Sequence, residues 1–364
     1  MKTTINKKKF IDALTLGGAM AGKNKTMPIL EFAKVDITLN TLAIHSFNGE
    51  SWVTKRSEVV STDAEYEFCI NPSEIINVLK SLAEEEITFS IANTTLIIEH
   101  FKGVMEMPIV DAKSYPQAQT TTNGASITLD GDKLKEWLAI ATNFVASDEL
   151  HPVMCGMYIF AQNGKLGVCA TDAHKLFTDT IDYEGDAFGV ILPASGFKPL
   201  ANMLRDKAFV NTIVDTKNIS FTTNDAELHC RLIEGNYPNF KAVIPQQNNI
   251  DIKVCKAELM DSVQRASLMA NKTTSLLKLC AEGEMMVIEG SDVDFSKKAK
   301  DSVKVEHTGN DITIGVKADF FANCLSTITH DSVTLRMGDE RRPIVFVDAN
   351  IPSRVILVMP MMLS

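Results

Sequence analysis

The residues best suited to chemistry are Asp172 and His174, in the run Ala170-Thr171-Asp172-Ala173-His174-Lys175-Leu176. Residues two apart on a strand share a face, so this pair could perform acid–base chemistry near neutral pH. A catalytic role also requires a nucleophile or a metal cluster beside the pair, and the sequence supplies neither. We therefore interpret His174 as a structural or partner-contacting residue.

Two other signals for enzymatic chemistry are weak. Gly17-Gly18-Ala19-Met20-Ala21-Gly22-Lys23-Asn24 imitates a phosphate-binding loop, but Asn24 stands where a serine or threonine must hold magnesium. A helical pattern precedes the segment and Pro28 soon follows, whereas the motif requires a strand before it and a helix after it. The seven cysteines are odd in number and form no CxxC pair, which argues against a zinc site or a disulfide framework. We expect neither a catalytic site nor a cofactor.

Composition is typical of a globular protein with about two or three domains, because 45% of the 364 residues are hydrophobic and 23% are charged. The basic start Met1-Lys2-Thr3-Thr4-Ile5-Asn6-Lys7-Lys8-Lys9 leads into no apolar signal core, so we predict a cytoplasmic location. The net charge of −10 argues against a protein that coats nucleic acid by bulk charge, but it leaves room for local basic faces.

The elements that must position these residues are repeated along the chain. Basic or acidic residues precede an apolar helix start at Phe10, Leu134 and Leu259, which are 124 and 125 residues apart. In the second copy Leu134, Trp137, Leu138 and Ala141 stand at i, i+3, i+4 and i+7, the pattern of a helix buried on one face. Each copy therefore begins with an amphipathic helix.

A second helix and a following strand recur in each copy. Pro72 and Pro193 are 121 residues apart, and each stands where a first helical turn tolerates proline. The third copy, Ile314–Phe321, lacks the proline. Alternating strands are predicted after these helices at Ile87–Ile91, Ile219–Thr222 and Val333–Met337. We predict an α+β protein with three tandem similar domains, 1–120, 121–247 and 248–364, each with two helices packed on antiparallel sheet.

The end of the chain is apolar, with no charged residue after Arg354. Termini fray unless contacts hold them down, so Leu357-Val358-Met359-Pro360-Met361-Met362-Leu363-Ser364 must be packed against something. Two interpretations are open. The tail is either an ordinary terminal strand in a core, or it lies against 170–177 and forms a binding groove with that run.

Four segments in order, on a three-fold repeat of this length, carry a family resemblance. They are Met27-Pro28-Ile29-Leu30, Ala170–Leu176, Glu234-Gly235-Asn236-Tyr237-Pro238-Asn239-Phe240 and Val358-Met359-Pro360-Met361. The chain resembles the bacterial DNA polymerase III β subunits, which are sliding clamps. The resemblance implies the DNA clamp fold and a head-to-tail homodimer whose six domains form a ring. It implies sequence-independent encirclement of duplex DNA, and tethering of the replicative polymerase without any catalytic site.

The resemblance also implies one groove per subunit for a linear motif carried by the polymerase, the clamp loader and repair proteins. Its matching positions are Met154, Thr171, Ala173, His174, Lys175, Leu176, Pro238, Ala242, Val243, Leu357, Val358, Met359, Pro360, Met361 and Met362. Ala173 replaces a usual glycine, and Lys175 and Ala242 replace usual arginines. Because lysine cannot supply bidentate donors, we predict a preference for a more apolar motif, which a titration with consensus clamp-binding peptides would check.

Further roles follow from the same resemblance. Lys23, Asn24 and Lys25 match a DNA-contacting loop, and Lys198 and Arg205 lie on or near a predicted inner helix. Leu268 and Met269 are expected to meet the first domain of another subunit near Met107. The alternative is that these residues are interior to their own domain. A nucleoid-associated, membrane-free protein is implied. The alternative is a non-enzymatic three-repeat interaction scaffold that does not encircle DNA, and positive charge on the inner helices would discriminate against it.

Overall fold

The computed structural model describes residues 1–117, 124–148 and 150–363. The chain forms two compact units, Met1–Leu138 with Leu192–Leu232 and Ala139–Ile191 with Ile233–Ser364. The polar stretch predicted as the first domain boundary, near residue 120, lies outside the described residues, so the predicted boundaries stay predictions. No helix of the described ranges is long and apolar enough to cross a membrane.

Helices occur in the predicted pairs. The described ranges contain six α-helices: α1 Lys7–Gly17, α2 Pro72–Ser81, α3 Gly131–Ala141, α4 Phe197–Met203, α5 Lys256–Ser267 and α6 Ala318–Ser326. Short 3-10 turns occupy Pro28–Glu31, Ala112–Ser114, Pro152–Met154, Ala194–Gly196 and Phe240–Val243. Phe10, Leu134 and Leu259 are buried, which confirms that each copy begins with an amphipathic helix.

Strands complete three repeats of one element order. The first repeat contains β1 Lys2–Asn6, β2 Ala33–Ile37, β3 Thr41–Phe47, β4 Ser51–Glu58, β5 Ser61–Thr62, β6 Tyr66–Ile70, β7 Glu86–Ala92, β8 Thr95–His100 and β9 Gly103–Pro108. The second contains β10 Ala125–Asp130, β11 Gly156–Gln162, β12 Lys165–Thr171, β13 Lys175–Asp182, β14 Phe188–Pro193, β15 Phe209–Val214, β16 Asn218–Thr222 and β17 Ala226–Arg231. The third contains β18 Ile250–Cys255, β19 Leu276–Glu282, β20 Met285–Asp292, β21 Lys297–Thr308, β22 Ile312–Lys317, β23 Ser332–Met337, β24 Ile344–Val347 and β25 Val355–Val358. Each repeat runs strand, helix, a group of four or five strands, helix and three strands, which confirms the predicted α+β fold of three similar domains.

The second helices begin differently in the first two repeats. Asn71 caps α2, because its side-chain oxygen accepts hydrogen bonds from the backbone N–H of Ser73 and Glu74, and Pro72 opens the first turn as predicted. Pro193 instead ends β14 in an extended conformation, and α4 begins only at Phe197. The prediction that Pro193 opens a helix was therefore wrong, because the 3-10 turn Ala194–Gly196 separates Pro193 from α4.

One strand prediction was also displaced. Ile219–Thr222 lies in β16, the second strand after α4, whereas the first is Phe209–Val214. That strand was missed because Asn211 and Thr212 interrupt its apolar residues. Ile87–Ile91 and Val333–Met337 do lie in the strands that directly follow their helices, as predicted.

Antiparallel pairing joins neighbouring repeats edge to edge. The first unit contains a sheet in the order β5-β1-β7-β8-β9 and another in the order β10-β15-β16-β17-β4-β3-β2-β6. The third sheet runs β14-β11-β12-β13-β25-β24-β23-β18-β21-β20-β19-β22. The last strand of a repeat thus pairs with the third strand of the previous repeat's central group, as β17 with β4 and β25 with β13.

The β13–β25 pairing confirms that the apolar tail packs against the middle of the chain. Its register runs from Lys175 opposite Val358 to Thr178 opposite Val355. A buried ion pair flanks it, in which Arg354 Nη2 donates to Asp179 Oδ2 at 3.1 Å with side chains 1% and 0% exposed. Ser353 Oγ donates to the other carboxylate oxygen of Asp179 at 2.8 Å. The tail is therefore held by backbone bonds and by one desolvated charge pair.

Replacing Asp179 with alanine should lower the free energy of unfolding by about 3–5 kcal/mol, because it leaves the Arg354 guanidinium buried without its carboxylate. Denaturant titration followed by circular dichroism measures the loss. Hydrogen exchange should show faster opening of Val355–Val358. Asp182→Ala is the matched control on the same strand, since its carboxylate is 92% exposed and the change should cost less than about 1 kcal/mol. Equal effects of the two variants would contradict the assignment.

Candidate functional site

The centre of the candidate groove is the turn that joins β12 to β13. Thr171 Oγ1 donates to the carbonyl of Lys175 at 2.8 Å. Asp172 Oδ1 accepts the backbone N–H groups of His174 at 3.0 Å and Lys175 at 2.9 Å. Asp172 is therefore saturated by the turn that it organises, and its contacts are those of a structural residue.

Lys175 lies beneath this turn. Its ammonium is 2.5 Å from Asp172 Oδ2, and the two side chains are 6% and 13% exposed. The same ammonium lies 4.7 Å from the centre of the Phe320 ring, a cation–π contact. The side chain predicted to face a bound motif is thus engaged within the protein, so Lys175 supports the groove from below.

His174 is exposed and stacks on Phe320, with ring centres 5.4 Å apart. The ammonium of Lys317, the residue immediately before α6, lies 4.4 Å from the centre of the Phe320 ring. The helix predicted over 314–321 begins only at Ala318, since 314–317 belong to β22. The sequence analysis also missed Phe320 and Lys317 as neighbours of His174. The signal in the sequence that could have identified them was an aromatic residue three positions after a lysine at the start of a helix.

The tail forms the second wall. Beyond β25, Met359 N donates to the His174 carbonyl at 2.8 Å and Met361 N donates to the Gly315 carbonyl at 2.8 Å. Leu357 and Val358 are buried, Met359, Pro360 and Met361 are half-buried, and Met362 is 77% exposed. The methionine side chains past Val358 are therefore available at the surface beside His174.

An apolar floor connects these walls to a third segment. Leu176 and Leu357 pack in one cluster with Phe160, Cys169 and Phe240, and Phe240 opens the 3-10 turn Phe240–Val243. Burial raises the pKa of the Cys169 thiol and of the Tyr237 phenol beside it further above neutral pH, so neither group adds charge to the apolar floor at pH 7.

The remaining groove candidates lie around this floor. Pro238, Ala242 and Val243 are exposed, with Val243 at 46%. Met154 is buried at the end of the turn Pro152–Met154, where its carbonyl accepts the N–H of Ala146 at 2.9 Å. All the predicted groove residues belong to the second unit, and strand pairing and the apolar cluster join Leu176, Leu357 and the Phe240 turn directly.

The candidate DNA-contacting cations all lie in the first unit, where α1 packs against α4. Lys23, Lys25, Lys198 and Arg205 are exposed, and within the described ranges none of them forms an ion pair. Asn24 shapes the loop instead, because its side-chain oxygen accepts the N–H groups of Thr26 and Met27 at 3.0 and 2.9 Å.

Some of the other basic residues of this unit are paired with carboxylates. Lys9 pairs with Glu58 at 2.9 Å and Lys135 with Asp132 at 2.8 Å. Lys207 pairs with Asp225 at 3.2 Å. Among the described residues of this unit, the exposed cations without an ion pair thus include those of the predicted loop and of the α4 region, together with Lys8, Lys80, Lys102 and Lys217.

The three candidate dimer residues differ in exposure. Met107 is 8% exposed and belongs to the core of the first unit, on β9 at the edge of its sheet. Leu268 and Met269 follow α5 in the second unit and are 73% and 38% exposed. An exposed Leu–Met pair after a helix is a surface that association would bury. Among the described residues no cluster of three or more metal-ligating side chains is present.

Comparison with known families gives matches along nearly the whole chain. Residues 1–119 match the model of the DNA polymerase III beta subunit N-terminal domain. Residues 128–239 match the central domain and residues 241–362 match the C-terminal domain of the same subunit.

Curated relatives and solved structures agree with these matches. The chain is 24% identical over 362 residues to the beta sliding clamp of Streptococcus pneumoniae strain R6, covering 95% of both chains. It is 22% identical over 377 residues to the beta sliding clamp of Bacillus subtilis, covering 99% of both. The crystal structure of the Thermotoga maritima DNA polymerase III beta subunit superposes with a TM-score of 0.93 over 100% of both chains at 22% identity.

The turn that joins β12 to β13 contains one residue with a strained backbone. Ala173 has φ of 71°, in the left-handed region that costs an L-residue with a Cβ about 1 kcal/mol or more. Ala173→Gly should therefore raise the free energy of unfolding by about 1 kcal/mol, measured by denaturant titration. Ala242→Gly is the control, since Ala242 has no positive φ and glycine there should be neutral or destabilising. A stability loss in Ala173→Gly would show that the strain is not relieved.

Proposed function

The chain belongs to the DNA polymerase III beta subunit family, and from that premise we propose that it is a sliding clamp that encircles duplex DNA and tethers the replicative polymerase for processive synthesis. The observation that carries this proposal is the succession of three beta-subunit domain matches along one chain. Such a clamp would act on the nucleoid in the cytoplasm.

Encirclement explains how a chain with net charge −10 could work on DNA. A ring holds the duplex topologically, so it needs no tight contact, and weak phosphate contacts permit sliding. The exposed cations of the first unit, Lys23, Lys25, Lys198 and Arg205, suit such contacts because no carboxylate of the described residues neutralises them. This local positive charge favours a clamp over an interaction scaffold that never meets DNA.

The pairing pattern of the repeats supports a head-to-tail homodimer. Among the described residues, β9 pairs with β8 alone, and Lys297–Lys304 of β21 pair with β20 alone. β18 pairs with the residues of β21 that follow, Val305–Thr308. Within the chain, the last strand of a repeat pairs with the third strand of the previous repeat's central group. By the same rule, β9 of one copy would pair with β21 of another copy. Two such contacts would close a ring and remove both exposed edges.

The sequence-predicted dimer residues lie beside these two edges. Met107 is part of β9, and Leu268 and Met269 follow α5, which packs against β21. The segment Lys297–Lys304 of β21 carries four lysines and one aspartate, whereas Glu106 is the charged residue of β9. This charge difference would favour pairing of unlike edges over pairing of like edges.

We further infer that the groove around His174, Leu176 and Leu357 binds the linear motif of the polymerase, the clamp loader and repair proteins. A neutral apolar floor beside flexible methionines can re-pack around several related peptides. His174, Val243 and Met362 would form the exposed rim. The preference for a more apolar motif stays a prediction, supported by the engagement of the Lys175 ammonium with Asp172.

The decisive experiment combines mass and DNA retention. Light scattering across a dilution series should give a dimer of about twice 40.0 kDa, and the clamp loaded on nicked circular DNA should stay bound until the circle is linearised. Leu268→Arg, at a side chain that is 73% exposed, should yield monomer and loss of retention, while Lys278→Glu on β19 should not. Retention that is equal on circular and linear DNA would leave only an interaction scaffold.

A second prediction concerns the unpaired cations. Replacing Lys25 and Arg205 together with alanine should lower the salt dependence of DNA binding by about two units of slope, because about two phosphate contacts are lost. Replacing Lys9 and Lys135, which are already paired with carboxylates, should change the slope less. Binding at several salt concentrations on short duplexes measures both slopes, and equal slopes for the two variants would contradict the assignment.

A further inference from the structure

We propose that a depression next to the groove is a second subsite, which binds an acidic segment flanking the partner's linear motif. The depression lies in the second unit, between the faces of β11–β13 and the turn Phe240–Val243, and has a volume of about 430 Å³. The proposal rests on the proposed function, since it assumes that the groove binds partner peptides. It adds a place and a charge for residues outside the motif.

The depression is continuous with the groove floor. Phe240 packs with Leu176 and Leu357 in the floor cluster, and it also lines the depression. Lys241 and Ile244 line the depression, while Ala242 and Val243 between them belong to the candidate groove. One short turn therefore presents side chains to both concavities, and a peptide that crosses it would touch both.

Strand geometry gives the reach that such a peptide needs. Side chains alternate along β13, so Leu176, Thr178 and Thr180 share one face of the sheet. Leu176 packs in the floor, and Thr178 and Thr180 line the depression. Leu176 and Thr180 are four residues apart, which is about 13 Å along a strand, so about four extended peptide residues would span the distance.

The lining is positively charged. Among the described residues that line it are Lys165 and Lys241 but no carboxylate, in a chain whose net charge is −10. Lys165 is paired with Asp182 at 2.6 Å. Lys241 is exposed, lies 5.8 Å from the centre of the Phe160 ring, and forms no ion pair within the described parts of the chain. Lys241 is therefore the cation available to a ligand.

These features select the occupant. Phe160, Phe240 and Ile244 offer an apolar base for side-chain stems, and the Lys241 ammonium above Phe160 offers a charge at the rim. An aspartate or glutamate about four residues from the motif would meet that charge, whereas a lysine would be repelled. An exposed charge pair contributes modestly, so the expected gain in affinity is about fivefold.

The test uses the full chain and three sets of fluorescent peptides built on one consensus bacterial clamp-binding motif. The first set is the motif alone. The second set carries four acidic flanking residues, at the N-terminal or at the C-terminal end of the motif, and the third set carries four neutral residues at the same positions. We expect an acidic flank at one end to lower the Kd about fivefold relative to the neutral flank. Lys241→Ala should abolish this gain, and Lys241→Glu should turn it into a loss, with unchanged binding of the motif alone.

Lys278→Glu is the matched control, because it makes the same charge change at an exposed lysine of the same unit, on β19. A gain that falls equally in Lys278→Glu and Lys241→Glu would reflect bulk charge and overturn the subsite. Equal affinities for acidic and neutral flanks at both ends would overturn it as well. Failure of the motif alone to bind would instead refute the proposed groove, so the two failures are distinguishable.

Discussion

The candidate site depends above all on the antiparallel pairing of β13 with β25. Four residue pairs, from Lys175 with Val358 to Thr178 with Val355, attach the last strand of the chain to a strand of the preceding repeat. This pairing places Leu357 beside Leu176 in the floor and sets Met359 against the carbonyl of His174. The tail strand also pairs with β24, but only the pairing with β13 brings the tail beside His174 and Leu176. The buried contact of Arg354 with Asp179 ties the start of β25 to the same strand.

The same device is used where the first two repeats meet. There β17 pairs with β4, from Ala226 opposite Lys55 to Cys230 opposite Ser51. Repetition of one edge-to-edge contact within a chain leaves one edge of each kind unpaired among the described residues, on β9 and on Lys297–Lys304 of β21. Because an unpaired edge tends to associate, a repeated domain of this type is well suited to assembly with a second copy. The repeat thus links the fold of one domain to the architecture that we propose for the complex.

The candidate groove and the candidate DNA-contacting surface differ in charge. In the groove, burial raises the pKa of Cys169 and of Tyr237 further above neutral pH and Asp172 engages Lys175, so the surface left for a ligand is mainly apolar. In the first unit, by contrast, exposed cations lack carboxylate partners among the described residues while several neighbours are paired. An apolar floor favours specific short peptides, and unpaired surface cations favour weak contacts with phosphates. Both properties are compatible with an acidic chain, because each is local.

The sequence by itself determined the three-fold repeat, since a spacing of 124 and 125 residues between Phe10, Leu134 and Leu259 reflects helices that each bury the same face. It also indicated that the tail must be packed, because an apolar terminus is unstable in water. Tertiary structure decided what local patterns cannot encode. Strand β15 was hidden by polar Asn211 and Thr212, and the position of Phe320 under His174 arises from residues 146 positions apart in sequence. Likewise, only the fold shows that Lys175 is turned inward onto Asp172, because the burial of a side chain depends on long-range contacts rather than on its neighbours in the chain.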